Sequence, residues 1–594
     1  MHTSKHLISI AVGPVQEFIS SARKLRDLWY GSDLLSELSK SVVRSLHDQG
    51  CELIFPAVND DEELKENSHL IVANKILALA PADIEPDAIL SCAKKDYSQF
   101  WQNLCAKVRN SLPAGCIDTT LFDAQVKDFG EFYGVWVKMN GSYKDTRSRT
   151  EQFLSGRKSL REFNAPAWDG AGKEKSSLDG IRENVILVAK HLEQQHILKK
   201  GEKLDALGIV KRKGVLKKME SDRPQFESLS QVAAQPYLAG IDNDVEAQKI
   251  ISTFPELTSL PNLNGPPPRQ TNYQFLPCSF PEELFLPACF AGMESECGLE
   301  NDPTWGKLTE KMHRLYKHTG RPQPYACLLV GDGDHMGATL DHLDDPEDHK
   351  RFSSALDQFA RSMQALVPEH GGGLVYSGGD DVMAYLPLHT ALVCATAINK
   401  RFSEAMNDAC RETKIKDKPT FSIGMAIVHH HMPLHSALEL ARQAEATAKN
   451  QGRRNSLAII QAKRSGSKQV IYGKWDPDGE LAPFQVRLQA MINLHQQGGI
   501  SSRLGYQLRR IALETGETMK WEVIDGKILP TNATAAETKR MVGRKAPITE
   551  EDEIILLAGR TNLRGFADEL VIAHQFAGAI DLSQAGWLQK EAAQ

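Results

Sequence analysis

The sequence predicts an α+β protein of several domains, and three observations lead to that class. Residues 325–455 alternate in the order strand, helix, hairpin, helix, strand, helix, basic loop. The amino-terminal part begins a similar alternation at His6. After residue 463 the apolar residues recur with helical spacing, which predicts a C-terminal helical bundle. The 594 residues suffice for roughly four domains of about 150 residues each.

An apolar run at residues 325–330 predicts a buried strand that ends in carboxylates and glycines. The next residues, Gly331-Asp-Gly-Asp-His-Met-Gly337, predict a turn that leads into a helix near Met336. The residues from Asp332 onward also match the start of an EF-hand calcium loop. Positions five and twelve of such a loop would be Met336 and Leu343, which offer no oxygen ligand, so the calcium interpretation fails.

Residues 373–386 predict a β-hairpin with a tight Gly378-Gly379 turn and two aspartates behind it. An ordinary hairpin turn would explain this stretch alone, but both stretches in this order favour a catalytic site. Carboxylates held together are costly unless cations neutralise them, and oxygen ligands favour Mg²⁺ or Mn²⁺. The pattern therefore predicts a two-metal site in which Asp332, with Asp334 as a further candidate, lies beside Asp380 and Asp381.

The segment after the hairpin continues the same plan. It predicts a helix over 388–410, a strand over 420–428 and a helix from Leu434 that ends in a basic loop over 448–455. This order is that of a palm domain of the nucleotide cyclase kind, and the basic tail resembles that of GGDEF-type cyclases. The resemblance implies that Lys449 contacts a triphosphate, as a point charge at a helix end. The alternative is a solvated lysine that interacts only with the helix dipole.

The remaining segments give a coarser prediction. Strands are predicted over 6–12, 51–55 and 69–73. A helix is predicted through 15–19 and 23–29 towards Gly31-Ser32, and further helices over 33–46, 175–200 and 201–212. The proline-rich stretch 261–268 predicts a linker or surface strap. C-terminal helices are predicted over 484–496, 503–515, 534–542, 549–558 and 563–576.

Charge and composition limit the partners. With 70 basic and 76 acidic residues, the net charge of −6 gives no global field for nucleic acid, so any RNA contact must be local. No signal peptide or run long enough to span a bilayer is present, so we expect a cytoplasmic protein without a membrane partner.

Cysteine and histidine spacing gives no metal motif. None of the ten cysteines forms a C-x-x-C pair, so no zinc is expected and reduced, mostly buried thiols are favoured. Cys278, Cys289 and Cys297 come nearest to a cluster, with irregular spacing. The tract 429–431 with His435 either binds a metal or caps a strand at a solvated turn, and we favour the cap.

Larger stretches resemble a known family. The residues from Ile10-Ala-Val-Gly-Pro-Val-Gln-Glu-Phe-Ile to Ala-Arg-Lys-Leu-Arg-Asp-Leu-Trp-Tyr-Gly-Ser resemble the opening of the first palm in the large subunit of type III-B (Cmr) CRISPR effector complexes. The two aspartate stretches continue the series, and the resemblance extends to about residue 465. Further matches follow in the family's order: 73–77, 156–163, 173–180, 201–212 and 226–233.

That resemblance implies a fold and a site. Two ferredoxin-like palms would face each other: residues 1–165 as a non-catalytic palm and residues 321–465 as the catalytic one. Residues 166–320 would form a helical and linker region, and 466–594 a C-terminal helical domain. Catalytic metals would bind Asp332, Asp380 and Asp381, with Gly333 among the metal positions. The nucleotide-binding positions would be Asp334, His335, Met336, Gly337, Ser377, Gly378, Gly379 and Lys449, together with Gly13 and Gln16 of the first palm.

The resemblance also implies an activity. On target RNA binding, the family's complexes join ATP into cyclic oligoadenylate messengers, and the partners are guide RNA, target RNA and the other subunits. A subset without an HD nuclease domain couples ATP to S-adenosylmethionine instead. The turn at Gly13-Pro14 leaves no room for an HD domain before the first palm, so we expect the HD-less form and no cleavage of single-stranded DNA. The alternatives are a non-catalytic scaffold and a free-standing diguanylate-type cyclase.

Overall fold

The chain is described here by a computed structural model. It covers residues 5–588 except 59, 67, 69, 128, 161–171, 173, 196, 223–227, 256–272, 277–279, 464–467, 526 and 545–547. The proline-rich stretch 261–268 lies outside the described residues, and so do the predicted domain boundaries near 165 and 465, which stay predictions.

The first sheet has four antiparallel strands in the order β2-β3-β1-β4. With its helices it follows the βαββαβ plan of a ferredoxin-like domain. Both faces of β1 are buried, because helices α2 and α3 cover one face and α5 covers the other. The elements are β1 His6–Gly13, α1 Gln16–Ser20, α2 Leu25–Asp48, β2 Glu52–Phe55, β3 Lys75–Ala80, α3 Pro86–Asn110, α4 Thr119–Lys127, β4 Glu131–Lys138 and α5 Tyr143–Ser159.

Two predictions for this part are wrong in their bounds. Of the strand predicted over 69–73, the described residues 70–73 form an irregular segment, because Ser36 Oγ accepts the Val72 backbone N–H at 2.9 Å and Leu70 packs in the core. The next strand, β3, lies over Lys75–Ala80 instead. The helix predicted from residue 15 through 29 instead ends with α1 at Ser20. Helix α2 begins at Leu25 and continues through the break predicted near Gly31-Ser32, because its buried stripe is uninterrupted there.

The middle region is mainly helical, and its first two helices begin later than predicted, at Ala189 instead of residue 175 and at Ala206 instead of residue 201. Only part of the helix predicted over 175–200 forms, because the Asn184 side chain accepts the backbone N–H groups of Ile186 and Leu204 and holds that stretch in turns. A 3₁₀ turn, Glu282–Phe285, precedes α10, and another, Asp61–Leu64, follows β2. The helices are α6 Ala189–Gln194, α7 Ala206–Asp222, α8 Leu229–Asp242, α9 Val245–Ser252, α10 Pro287–Cys297 and α11 Pro303–Thr319.

The second sheet has six strands in the order β10-β9-β8-β5-β7-β6. Its four strands β8-β5-β7-β6 repeat the order of the first sheet, and β9 joins parallel to β8. Helices α13 and α14 cover one face, and α15 covers the other. The elements are β5 Tyr325–Asp334, α12 Met336–Leu340, α13 Pro346–Glu369, β6 Gly373–Gly378, β7 Asp381–Pro387, α14 Leu388–Glu412, β8 Thr420–His429, α15 Leu434–Asn450, β9 Ser456–Ala462 and β10 Gln469–Lys474.

The C-terminal part is a helical bundle around α20, with a small hairpin inserted between α17 and α18. The helices α16 and α17 pack on α20, as the periodicity of the sequence predicts. No helix in the described ranges has the length and apolar character needed to cross a membrane. The elements are α16 Phe484–Gln496, α17 Leu504–Thr515, β11 Trp521–Ile524, β12 Lys527–Pro530, α18 Ala533–Val542, α19 Glu550–Leu557 and α20 Leu563–Ser583.

Candidate active site

Strand register brings the predicted carboxylates together at one end of the second sheet. Gly331 of β5 pairs with Val382 of β7, so Asp332 and Asp381 are the next residues on two neighbouring strands. Strands lie about 4.8 Å apart, which places these two side chains side by side. The hairpin turn is Gly379-Asp380, one residue later than predicted, because Gly378 pairs with Asp381.

Glycines shape the hairpin and the strand opposite. Gly379 has φ of 64°, a value that favours glycine at the first turn position. A Cβ atom on Gly333 would lie 2.8 Å from Asp380 Cβ and 3.0 Å from its Oδ2. Gly333 is therefore the residue over which the Asp380 side chain lies, next to Asp332 along β5. The predicted metal-binding positions thus form one cluster.

A lysine is already ion-paired with this cluster. Lys449, near the end of α15, forms a very short ion pair with Asp332 and a second one of 2.8 Å with Glu445 one turn earlier. Burial, together with the smaller effect of the Arg454 charge, lowers the pKa of Lys449 to about 8. Glu445, which the sequence prediction missed, is half-buried, and burial raises its pKa. The spacing of four residues between Glu445 and Lys449 in a predicted helix could have indicated this ion pair.

The hairpin carboxylates are held in an environment that disfavours their charge. Burial raises the pKa of Asp380 above its ordinary value, and Lys75 of the first palm counteracts this. The pKa of Asp381 is also raised, by surrounding protein atoms and by the charge of Asp380, although one side of Asp381 opens to solvent. Two such carboxylates favour a bound cation. Their all-oxygen donor set fits Mg²⁺ or Mn²⁺.

Asp334 has a different position from its neighbours. It is buried and accepts three hydrogen bonds of 2.9 Å, from Thr420 Oγ1, Ser422 Oγ and the Asn455 backbone N–H. The last bond holds the turn at Arg453-Arg454-Asn455, whose three residues all have positive φ. These bonds occupy the Asp334 carboxylate, so its role in this arrangement is to hold β8 and the turn in place. Its predicted contact with nucleotide stays a prediction.

The other predicted nucleotide positions are divided between surface and interior. His335 and Gly337 are exposed at the start of α12, whereas Met336 is buried. Ser377 is buried, and among the described residues its Oγ has no hydrogen-bond partner. Gly378 lies against the hydroxyl of Tyr376.

The two predicted positions of the first palm are not brought to the carboxylates by any described contact. Gly13 ends β1, where its carbonyl accepts the Tyr97 hydroxyl at 3.5 Å and it pairs with Glu131. Gln16 begins α1. Their role in nucleotide binding stays a prediction.

The first palm nevertheless borders the carboxylate cluster. The Phe55 ring comes within 3.9 Å of the position of a Cβ on Gly379. Arg147 of α5 forms a short ion pair with Asp341, directly after α12, and the Tyr143 hydroxyl lies 2.7 Å from His349 Nδ1 on α13. Contacts between the palms thus reach the hairpin turn and both helices that follow β5.

The buried His349 predicts a pH dependence of stability. Burial lowers its pKa to about 3, from an ordinary value of 6.5. Its neutral form is therefore favoured by folding, and the stabilisation is lost as the pH falls from 6.5 towards 3. We expect the free energy of unfolding to fall by about 1.3 kcal/mol between pH 7.5 and 5.5 from this residue. Denaturant titrations of His349→Gln should show a shallower pH dependence, and the exposed His342→Gln serves as control. Equal slopes for wild type and His349→Gln would contradict the assignment.

Two protein-family models match separate parts of the chain. The model described as "Cas10/Cmr2, second palm domain" matches residues 325–458. The model described as "CRISPR-associated protein Cmr2, N-terminal" matches residues 7–106. The first region spans β5 to the start of β9 with the carboxylate cluster, and the second spans β1 to most of α3.

Individual relatives agree with these matches. The "CRISPR system Cmr subunit Cmr2" of Pyrococcus furiosus is 30% identical over 250 residues, which cover 37% of this chain and 28% of that protein. The fold is similar to a chain in a type III-B Cmr-beta structure in the apo state, with a TM-score of 0.65, 13% identity, and coverage of 96% of this chain and 82% of that one. The Cmr-beta structure bound to cognate target RNA gives a TM-score of 0.63 at 13% identity, with coverage of 96% and 83%. Residues 7–106 and 325–458 are thus similar to two domains of the Cas10/Cmr2 proteins, and the match to the curated relative spans less than a third of that relative's length.

Proposed function

We propose that the second palm is the active site of a metal-dependent nucleotidyltransferase. The observation that carries this proposal is the meeting of Asp332, Asp380 and Asp381 at the ends of neighbouring strands, with Lys449 ion-paired to them. When bound there, two divalent cations supply positive charge that acidifies an attacking ribose hydroxyl and neutralises the triphosphate of ATP. A scaffold would have no use for this concentration of like charge, which is costly without a cation.

The protein's own residues set the geometry of the reaction. Asp332 and Asp381 are fixed by two strands, and Asp380 is fixed by the turn and by its contact with Gly333. Lys449, which pairs with Asp332 and Glu445, would lie against the phosphates of a bound triphosphate, and Glu445 would keep it close to the site. The hydroxyl oxygen attacks the α-phosphorus as its proton passes to water. The bond from the α-phosphorus to the oxygen that bridges to the β-phosphate breaks, and pyrophosphate leaves beside Lys449. The exposed backbone near His335 and Gly337 is the proposed phosphate contact.

We propose further that the chain acts as a subunit of a type III-B CRISPR antiviral effector complex. The matches of residues 7–106 and 325–458 to Cas10/Cmr2 domain models, and a fold similar to a Cmr-beta chain over nearly the whole length, support this assignment. The partners would be guide RNA, target RNA and the other subunits. The product would be cyclic oligoadenylate made when target RNA binds. S-adenosylmethionine as second substrate, giving a SAM-AMP messenger, is the alternative outcome.

Product analysis of the assembled complex tests these proposals. The complex is given ATP and Mg²⁺ or Mn²⁺, with and without S-adenosylmethionine and target RNA, and the products are identified by mass. Cyclic oligoadenylate that forms only with target RNA supports the proposal. A conjugate of S-adenosylmethionine and AMP identifies the alternative acceptor. If no ATP-derived product forms with target RNA present, the chain is a scaffold and the nucleotidyltransferase proposal is wrong.

Lys449 gives a quantitative prediction. A charge-assisted contact to phosphate contributes about 1.5–3 kcal/mol, so Lys449→Ala should lower kcat/KM for ATP by roughly ten- to a hundredfold. The identity of the product should not change. Lys400→Ala on the exposed face of α14 is a matched control, because its ion pair with Glu404 spans 3.9 Å at the surface. Steady-state kinetics of the two variant complexes test this prediction. Unchanged kcat/KM for Lys449→Ala would show that Lys449 is a solvated lysine that interacts only with the helix dipole.

A further inference from the structure

A second group of metal-ligating side chains lies away from the carboxylates. Cys289, His430 and His431 each offer one ligating atom, and these atoms all lie within 4.8 Å of one another. The Cys289 Sγ is 3.7 Å from His430 Nδ1. Cys289 is on α10 and the two histidines directly follow β8, so the cluster joins two parts of the chain that are 141 residues apart.

The backbone around the histidines is held in a defined turn. The His430 backbone N–H donates to the Pro324 carbonyl at 3.0 Å, and the His431 N–H donates to the His429 ring at 3.1 Å. The His430 and His431 rings meet edge to face, with centroids 4.2 Å apart. His430 is buried whereas His431 is exposed, so the cluster opens to solvent on one side.

The donor atoms specify the class of ion. Tetrahedral zinc binds thiolate at about 2.3 Å and imidazole at about 2.0–2.1 Å, which puts neighbouring ligand atoms about 3.5 Å apart. The separation of 3.7 Å between Cys289 and His430 is already close to that value. Thiolate and imidazole ligands suit Zn²⁺ or Co²⁺ rather than Mg²⁺ or Mn²⁺. The competing partner of His430 Nδ1 is Ser230 Oγ at 3.0 Å, a hydrogen bond that an ion would replace.

We propose that Cys289, His430 and His431 bind one zinc-type transition-metal ion that clips α10 to the second sheet. With three protein ligands, water takes the fourth position. This site is separate from the carboxylate cluster, because Tyr325 pairs with His429 at one end of β5 and Asp334 pairs with Thr420 at the other. Ten strand residues span about 30 Å, so the two sites differ in place as well as in ligand chemistry.

Metal analysis of the full-length chain tests the proposal. Bound metal is removed from the chain with a chelator, and the chain is incubated with Zn²⁺ and dialysed. Elemental mass spectrometry then gives the number of zinc ions per chain. We expect one zinc per wild-type chain, and Co²⁺ in its place should give thiolate-to-cobalt charge-transfer absorption. Cys289→Ser and His431→Ala should each bind zinc at least about tenfold more weakly and lose that absorption. Cys297→Ser, on the same helix but outside the cluster, should behave as wild type.

The thermal midpoint separates ligand loss from misfolding. His431 is exposed, so metal-free His431→Ala should melt at the same temperature as the metal-free wild type. Zinc should raise the melting temperature of the wild type and of Cys297→Ser but not that of His431→Ala. The proposal is overturned if wild type binds no zinc after dialysis, or if Cys289→Ser and His431→Ala both bind it as tightly as wild type. It is also overturned if the zinc is lost from Asp380→Asn/Asp381→Asn, because the ion would then belong to the carboxylate cluster.

Discussion

Replacing Asp380 and Asp381 together with asparagine should lower the rate of nucleotide joining by about a thousandfold or more. These side chains would hold the cations that provide most of the charge stabilisation in the transition state, a contribution of several kcal/mol. Asparagine keeps the shape of the turn and removes the repulsion between two carboxylates whose pKa values are raised. The metal-free variant should therefore melt at a higher temperature than the metal-free wild type. Product formation by the assembled complex and thermal melting of the chain are the two measurements.

The control for this experiment carries the same loss of charge elsewhere on the second palm. Glu404→Gln with Asp408→Asn changes two exposed carboxylates of α14 that form only surface ion pairs, at 3.9 Å with Lys400 and 3.4 Å with Arg411. It should leave the rate and the melting temperature nearly unchanged. A hairpin variant that still made product at close to the wild-type rate would show that the cations bind elsewhere.

Asp334→Ala should destabilise the fold by about 3–5 kcal/mol, because removing a buried charged acceptor leaves its donors unsatisfied. Those donors are Thr420 and Ser422 of β8 and the backbone of Asn455. Asp334→Asn, which retains an acceptor, should cost less. Denaturant unfolding of the isolated chain measures the difference.

Asp344→Ala provides the matched control for that substitution. Asp344 is exposed in the segment between α12 and α13, so its loss should change the free energy of unfolding by no more than about 0.5 kcal/mol. Equal unfolding midpoints for Asp334→Ala and Asp344→Ala would show that the hydrogen bonds of Asp334 contribute nothing net.

The sequence predicted best what is encoded locally. The apolar strand before Asp332, the glycine-rich hairpin and the helix that ends near Lys449 each follow from a period and a turn within one short stretch. Their meeting in space then follows from strand pairing. The hairpin turn was predicted one residue too early. Gly378, Gly379 and Asp380 all favour turns, so the strand register is undetermined until cross-strand pairing fixes it.

What the sequence could not give depends on distant partners. Asp334 was predicted to lie at the carboxylate site and to bind nucleotide, whereas its hydroxyl partner Ser422 lies 88 residues away. The segment around Leu70 and Val72 has the apolar character of a strand, yet contacts with α2 remove it from the sheet. Cys289 and His430 showed no common motif because only the packing of α10 against the second sheet brings them together.

The turn at Arg453-Arg454-Asn455 is ordered before any ligand binds, which affects the affinity for an anion at this place. Three successive residues with positive φ are individually unfavourable, and this conformation persists because Asp334 holds Asn455 and Lys474 Nζ donates to the carbonyls of Arg453 and Arg454 at 2.7 Å. Fixing one backbone residue costs about 1–2 kcal/mol. That cost is met during folding, so the backbone that carries the two arginines is already ordered, with the charge of Arg454 close to Lys449. An anion arriving there loses little affinity to ordering the loop.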